Sequence, residues 1–358
     1  MALPLDPSEG SLSLNDISTE FDGGDPPDRL SEYYAGGGLV PAGTTGTYGA
    51  IPSNGQISFK QFYGASSVPP TFNITISTNQ TNLNLRTYAL SNGWNGTQPA
   101  FITIGTGVYI ISDTVNTPAL TTGSFPNGLT IINNGFVVGL GGSGYRNTIG
   151  ASTAGGNGSN AINLDSNVTI ENNSYIAAGG GGGGGSVFGG VGGGGAGGGR
   201  GGSESSSSTG VAGGTPGNVG TNGTTTIDTG GAGGRILPGT GGAGGIGGNN
   251  IQSYPGSGGG AGGGGACAVA LGRISGTVGG QGGGGGGYGA AGGNGSYFGA
   301  NAANNVRGGN GGSADAAGES VAGTTSGQTL GGTGGKAVNL NGFVVTWSNI
   351  GTRYGAIS

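Results

Sequence analysis

Residues 177–202 read AAGGGGGGGSVFGGVGGGGAGGGRGG, and the same style recurs in GLGGSGYRN (139–147), GSGGGAGGGGACA (256–268) and GGQGGGGGGYGAAGGNGS (279–296). Glycine makes up 98 of the 358 residues, where an ordinary chain has about 7%. A stretch this bare is either a disordered linker or an ordered lattice. Disorder is the default, because fixing a residue costs roughly 1–2 kcal/mol and glycine sits at the costly end. The punctuation argues otherwise. Val187, Phe188, Val191, Ile246 and Tyr288 interrupt the runs, in place of the serines and charges of a solvated linker. The runs are also short and separated by polar inserts, as if each made one pass through a block. Collagen is excluded, since Gly-X-Y is not sustained and proline is scarce in the runs. The remaining ordered geometry is polyproline II adopted by glycine, with three residues per turn and about 3.1 Å rise. Helices without Cβ can pack on every side, through backbone hydrogen bonds of about 1 kcal/mol net and weaker C–H···O contacts.

The composition narrows the function classes. Net charge is −5, and eight of the 15 acids (Asp6, Glu9, Asp16, Glu20, Asp22, Asp25, Asp28, Glu32) precede residue 35. No basic footprint exists for nucleic acid or an anionic bilayer. With no histidine and the lone Cys267, neither an intramolecular disulfide nor a Cys/His zinc site can form. MALPLDPSEG has no basic n-region and no apolar h-region, and no run of 18 apolar residues occurs. The chain is therefore expected to be made in the cytoplasm without processing, and not to insert into a membrane.

Three modules are expected. In residues 1–64, GSLSLNDI (10–17) returns in outline as GQISFKQF (55–62); each copy reads as a short strand turning into a helical turn, with a serine or asparagine cap. DPPDRLSEYY between them reads as a short helix opened by prolines. So small a module is marginal alone and is expected to dock on a partner or an identical chain. GSLSLNDISTEF and GQISFKQFYGAS resemble the N-terminal module of tailed-bacteriophage tail and fibre proteins, and the resemblance implies attachment to the virion.

Residues 65–138 begin with the hinge-like SSVPP. TFNITIS, FITIGTGVYIIS, PALTTGSF and LTIINNGFVVG read as strands, and LNLRTYALSNGW as a helix stopped at Asn92-Gly93. The order NLRTYALSNGWNGTQPAFITI resembles a module that precedes glycine-rich domains in phage tail proteins. Residues 139–358 form the third module. LTIINNGFVVG (129–139), VTIENNSYIAAG (168–179) and LNGFVVTWSNIGTRYG (340–355) share an asparagine-turned style. Asn134-Gly-Phe-Val-Val138 repeats letter for letter as Asn341-Gly-Phe-Val-Val345, and AINLDSNVTI (161–170) is close to AVNLNGFVVTW (337–347). Such echoes predict stacked strand rungs or two related caps bracketing the glycine block, with a final strand from Phe343 to Trp347.

Chemical motifs are few. Gly331-Gly-Thr-Gly-Gly-Lys336-Ala337 lacks the spacing and the hydroxyl of a P-loop. Asp22, Asp25 and Asp28 lack the EF-hand order and read as a solvated acidic loop. After residue 65 the acids are Asp113, Asp165, Glu171, Glu204, Asp228, Asp315 and Glu319, scattered rather than paired as in a glycosidase. No cofactor and no metal is expected. Arg200, Arg235, Arg273 and Arg307 fall at fairly even intervals, each next to glycine; they either line one face toward phosphate or acidic sugar or keep the block soluble. The inserts 203–228, 249–257, 296–308 and 313–330 carry Tyr254, Tyr297, Phe298 and Asn304 among serines and asparagines, the chemistry of binding loops. These aromatics either contact a ligand or cap the open ends of the lattice.

Glycine runs divided by polar inserts resemble the polyglycine-sandwich adhesins at the tips of T-even-type phage tail fibres, in style rather than in an alignable motif. The expected fold is mainly β and irregular: a small attachment module (1–64), a β-rich connector (65–138) and a packed polyglycine II lattice closed by strands (139–358). The resemblance implies a non-enzymatic virion protein that binds a host surface glycan or outer-membrane protein, and contacts other tail or baseplate proteins through residues 1–64. It also implies a homotrimer, although a lattice can close within one chain. The alternatives are a structural baseplate or fibre-network subunit and a polysaccharide-degrading tail spike.

Overall fold

In LTIIN (129–133) and VTIEN (168–172) every second residue is buried, the period of a strand with one side turned inward. A computed structural model describes residues 3–22, 29–67, 71–144, 147–148, 151–152, 154–185, 192–202, 212–216, 218, 220, 222, 231–234, 253–254, 267–270, 278–281, 283–294, 296–298, 306–307, 316–317, 320 and 330–358. The chain is mainly β with few helices. It divides into two units: Met1–Ile74, Arg86–Ile102 and Ser124–Thr130, and then Thr75–Leu85, Thr103–Gly123 and Ile131–Ser358.

The first unit holds a core of Leu3, Ile17, Phe21, Tyr33, Val40, Ile51 and Phe62. The rings of Phe21 and Tyr33 meet Phe62 edge-on, at 6.1 and 6.3 Å between centroids. Both echoing segments end in serine-capped helical turns. Helix α1 (Leu14–Phe21) opens with a capping box between Ser13 and Asp16, and the 3-10 turn Phe59–Phe62 opens with one between Ser58 and Gln61. The residues before each cap are not strands. Of the proline-opened helix only the 3-10 turn Leu30–Glu32 is described; its prolines, like those of SSVPP, lie outside the described residues. Helix α2 (Leu85–Ser91) is shorter than LNLRTYALSNGW predicts, since Leu83–Asn84 is taken into a strand. Trp94 is buried, its ring 4.5 Å from that of Phe125. Arg86 lies over the Trp94 ring and donates to the Ser124 carbonyl.

The strands that follow are coils of a three-faced parallel β-helix. The first coil runs through Phe72–Ile76, Gln80–Thr81 and Leu83–Asn84, and the second through Ala100–Ile104, Tyr109–Ile111 and Leu120–Thr121. The third is Leu129–Asn133, Phe136–Val138 and Ile162–Asn163; the fourth Val168–Asn172, Tyr175–Ala177 and Lys336–Asn339; the fifth Val345–Asn349, Thr352–Tyr354 and Ala356–Ile357. Strands of equal rank join into one five-stranded sheet per face, with neighbours in coil order. The registers on the second and third faces are parallel throughout.

Register explains the core. Ile110, Val137 and Ile176 are partners on the second face, and Leu120, Ile162 and Val338 on the third; all six are fully buried. At the first corner, buried Asn133 donates to Asn172 Oδ1 at 2.8 Å, and Asn172 donates to the carbonyls of Ile350 and Thr352 at 2.8 and 3.1 Å. A second asparagine row, Asn134–Asn173–Asn349, runs beside it at 3.0 and 2.7 Å. The rung reading of the echoes therefore holds. The letter-for-letter repeat does not mark equal rank, because Phe136 pairs with Tyr175 and Val168 with Val345. The strand expected at Phe343–Trp347 is Val345–Asn349, since Asn341-Gly342 spends Phe343 and Val344 on the corner, and it is not the final one, because Thr352–Tyr354 and Ala356–Ile357 follow it.

The glycine runs leave the β-helix between its second and third faces, after Val138 and after Ala177. Amides Gly179 through Gly184 donate in rotation to three other segments: Ser159 and Gly156, Ala196 and Gly193, Ala290 and Gly293, at 2.7–2.9 Å. The same run accepts from three more, through Gly142, Gly283 and Gly286, and Gly332 and Gly335. A Cβ built on Gly181 or Gly182 would fall within 3.0 Å of a backbone carbonyl, so neither position tolerates a side chain without moving a neighbouring run.

Candidate functional site

Each coil must turn a corner between the second and third faces, and the lengths spent there are unequal. Asn82 alone (φ 48°) turns the first coil and Gly355 alone (φ 111°) the last. The second coil inserts residues 112–119, the third 139–161 and the fourth 178–335. All eight sequence-selected binding residues belong to that last insert.

The insert is anchored on the outer side of the second face. Ile111, Val138 and Ala177 form a buried cluster with Ala196 and Tyr288 of the glycine-rich insert. Beside it, Tyr109, Phe136, Tyr175 and Tyr354 stack in sequence at 4.5, 5.8 and 6.4 Å, and Tyr354 also stacks on Tyr288 at 6.1 Å. Tyr288 is fully buried and donates to the Gly234 carbonyl at 3.2 Å. Burial raises the Tyr109 hydroxyl above its ordinary pKa. Sequence reasoning took Tyr288 as punctuation and missed the row. Its signal was the aromatic at equal rank in NNGF and NNSY.

Small sheets rise from the insert. Ser253–Tyr254 pairs in parallel with Val306–Arg307, which puts Tyr254 opposite Arg307. Cys267–Ala270, Val278–Gln281 and Ser296–Phe298 form an antiparallel sheet in which Tyr297 faces Gly280 and Phe298 faces Gly279. The strand pair lies against the first two strands of this sheet. The inserts 249–257 and 296–308 are thus brought together, and with them Tyr254, Arg307, Tyr297 and Phe298. Arg200 is exposed, and its carbonyl accepts from Gly144 at 2.8 Å. Arg235, Arg273 and Asn304 lie outside the described residues.

Two further signals have local duties. Lys336, of the imperfect P-loop pattern, donates to Asn339 Oδ1 at 3.0 Å and to the Ser358 carbonyl at 3.1 Å. Asp113 accepts from Asn82 at 2.6 Å and from Thr114 at 2.9 Å. Among the described residues no group of three or more His, Cys, Asp or Glu is placed to hold a metal, and no helix is long and apolar enough to cross a membrane.

A parallel β-helix that widens at one corner into a large glycine-rich insert is a scaffold bearing a side domain. A family model described as phage tail fibre adhesin Gp38 matches residues 71–257, more than half of the chain. The protein is a bacteriophage tail fibre adhesin, and it belongs to the Gp38 family. Its place is the virion tail and its role is host attachment. Among solved structures it is similar to the gp37–gp38 adhesin tip complex of the bacteriophage S16 long tail fibre, at 18% identity and a TM-score of 0.42, over 95% of this chain and 91% of that one. No curated protein matches it.

Proposed function

We propose that this adhesin binds a host surface receptor, a glycan or an outer-membrane protein, through loops displayed on a polyglycine II lattice. The observation that carries the reading is the rotation of hydrogen bonds along Gly179–Gly184. Three successive donors reach three different segments, and the fourth returns to the first. That is the period of a three-residue helix packed on all sides. A lattice with no side chains to rearrange holds its connecting loops rigidly, which lowers the ordering cost of binding. Residues 1–64 attach the protein to another tail or baseplate protein, residues 65–138 connect, and residues 139–358 carry the receptor site, working without catalysis. Synthesis takes place in the host cytoplasm. The assembled adhesin is a homotrimer or a single chain on its fibre, and light scattering of the purified protein distinguishes them.

The test is adsorption. Fluorescently labelled protein should coat host cells and block phage attachment. Tyr297→Ala or an Asn304→Ala, Arg200→Ala, Arg235→Ala, Arg273→Ala series should reduce coating without changing the melting temperature. Protein that neither coats cells nor competes with phage would sink the reading.

A further inference from the structure

We propose that the fifth coil is a built-in stop: Arg353, set in the inner row of the β-helix, keeps a second copy of this chain from pairing strand to strand onto that end.

The need for a stop is visible in the edges. Among the described residues no strand pairs beyond Val345–Asn349, Thr352–Tyr354 and Ala356–Ile357, each of which stands last in its sheet. Unpaired N–H and C=O groups along a strand are a template for another chain, and here one coil presents them on all three faces. The corners of the same coil add apolar surface, since Phe343, Val344 and Ile350 are 38, 60 and 51% exposed. An end made this way associates with its own kind unless something in it opposes the contact.

Register identifies what opposes it. On the second face the inner row runs Ile110, Val137, Ile176, all fully buried, and its next member is Arg353. On the first face the fully buried Ile170 is followed by Trp347. These two inner positions meet, with the Arg353 guanidinium carbon 4.7 Å from the centre of the Trp347 ring. Both residues are half-exposed, and the indole face holds the cation while water still reaches it. A coil stacked on this rung would take the guanidinium out of water into an apolar row, which is costly unless the newcomer brings a carboxylate. A second copy brings another Arg353 instead.

The ladders to the fourth coil supply an independent observation. They slip at Ile170/Glu171 on the first face and at Lys336/Val338 on the third, whereas the third-face ladders between earlier coils run without a shift. A bulge bends and twists its strand, and bulges together with inward-pointing charges are devices that blunt a sheet edge. Both are gathered on this one coil.

The experiment uses the full chain, light scattering over a range of concentrations, and hydrogen–deuterium exchange. Wild-type protein should keep one mass throughout. Arg353→Val continues the apolar inner row, and its mass should rise about twofold or more as identical ends pair. In that associated form the amides of Val345–Asn349 should exchange more slowly than in the wild type. Arg353→Lys keeps the charge and should keep the wild-type mass. Arg29→Val removes a positive charge from an exposed position of the first unit and should change nothing, which separates a stop at this end from a general loss of solubility. Thermal melting checks folding, and if Arg353→Val melts early, Arg353→Thr takes its place. A folded, uncharged variant that keeps the wild-type mass would overturn the proposal. So would association of Arg353→Lys or Arg29→Val to the same extent, or association that leaves the Val345–Asn349 amides exchanging as before.

Discussion

Single residues carry unequal weight in this protein, and the smallest carry the most. Gly182 donates to Gly156 and accepts from Gly332 while a Cβ on it would meet the Ser143 carbonyl. Gly182→Ala should therefore cost about 1–3 kcal/mol as an overpacking change, read as a lower denaturant midpoint at unchanged slope. The same substitution at Gly107, where a Cβ meets nothing within 4 Å, probes only the strain of its φ of 76°. Asn172 is the opposite case, a polar residue the core cannot do without. Asn172→Leu would leave the buried Asn133 amide with only the Tyr175 carbonyl as acceptor and remove the donor to the carbonyls of Ile350 and Thr352, at about 1–3 kcal/mol for an unsatisfied buried group. Glu20 gives the pH dependence. Burial raises its pKa, but the Ser67 backbone and hydroxyl donors outweigh burial, and the net shift is downward. The stabilisation is therefore present above the unfolded value of about 4.3 and fades as pH falls through the folded one. Glu20→Gln should flatten the acid limb of a stability–pH profile of the first unit while leaving the neutral plateau lower.

Elements show what the sequence could and could not reveal. The correspondence of LTIINNGF with VTIENNSY was legible because alternation and the paired asparagines both mark rank in a coil. The exact repeat of Asn-Gly-Phe-Val-Val was a false guide: an Asn-Gly turn followed by the start of an apolar strand serves two different corners. Coil spacing hid the β-helix for a physical reason. Second-face partners lie 27 residues apart for Tyr109 and Phe136, 39 for Phe136 and Tyr175, and 177 for Tyr175 and Thr352, so no fixed period exists to be found. The extra length enters almost wholly at one corner, whose cost grows only slowly with loop length. The binding residues were chosen by composition, and composition cannot show which inserts meet. The pairing of Tyr254 with Arg307 needed the register. The aromatic row makes an element-scale prediction. Tyr288→Ala removes the ring that stacks on Tyr354 and the donor to Gly234. A loss of about 3–5 kcal/mol is expected for a buried aromatic, with near-ultraviolet circular dichroism losing intensity while the far-ultraviolet β signal persists.

At the scale of the whole molecule, the scaffold and its insert are separable in sequence. Gly335 donates to the Gly179 carbonyl at 2.8 Å, so the chain leaves and rejoins the fourth coil at one point. Excising residues 180–334 and joining Gly179 to Gly335 should leave the five coils in register and abolish cell coating. The excised protein would expose Ile111, Val138 and Ala177, and a Val138→Thr change in the same background should limit self-association. Far-ultraviolet circular dichroism and a cooperative melt check the first outcome, and adsorption the second. The hydrogen bonding of Gly179–Gly184 has a consequence for exchange with solvent. Six successive amides are tied to three separate segments, and none can open without loosening several neighbours at once. In deuterated buffer these protons should be among the last in the protein to be replaced, near the limit set by global unfolding. The most pliable of polymers in water becomes, once bundled, the place where water intrudes least.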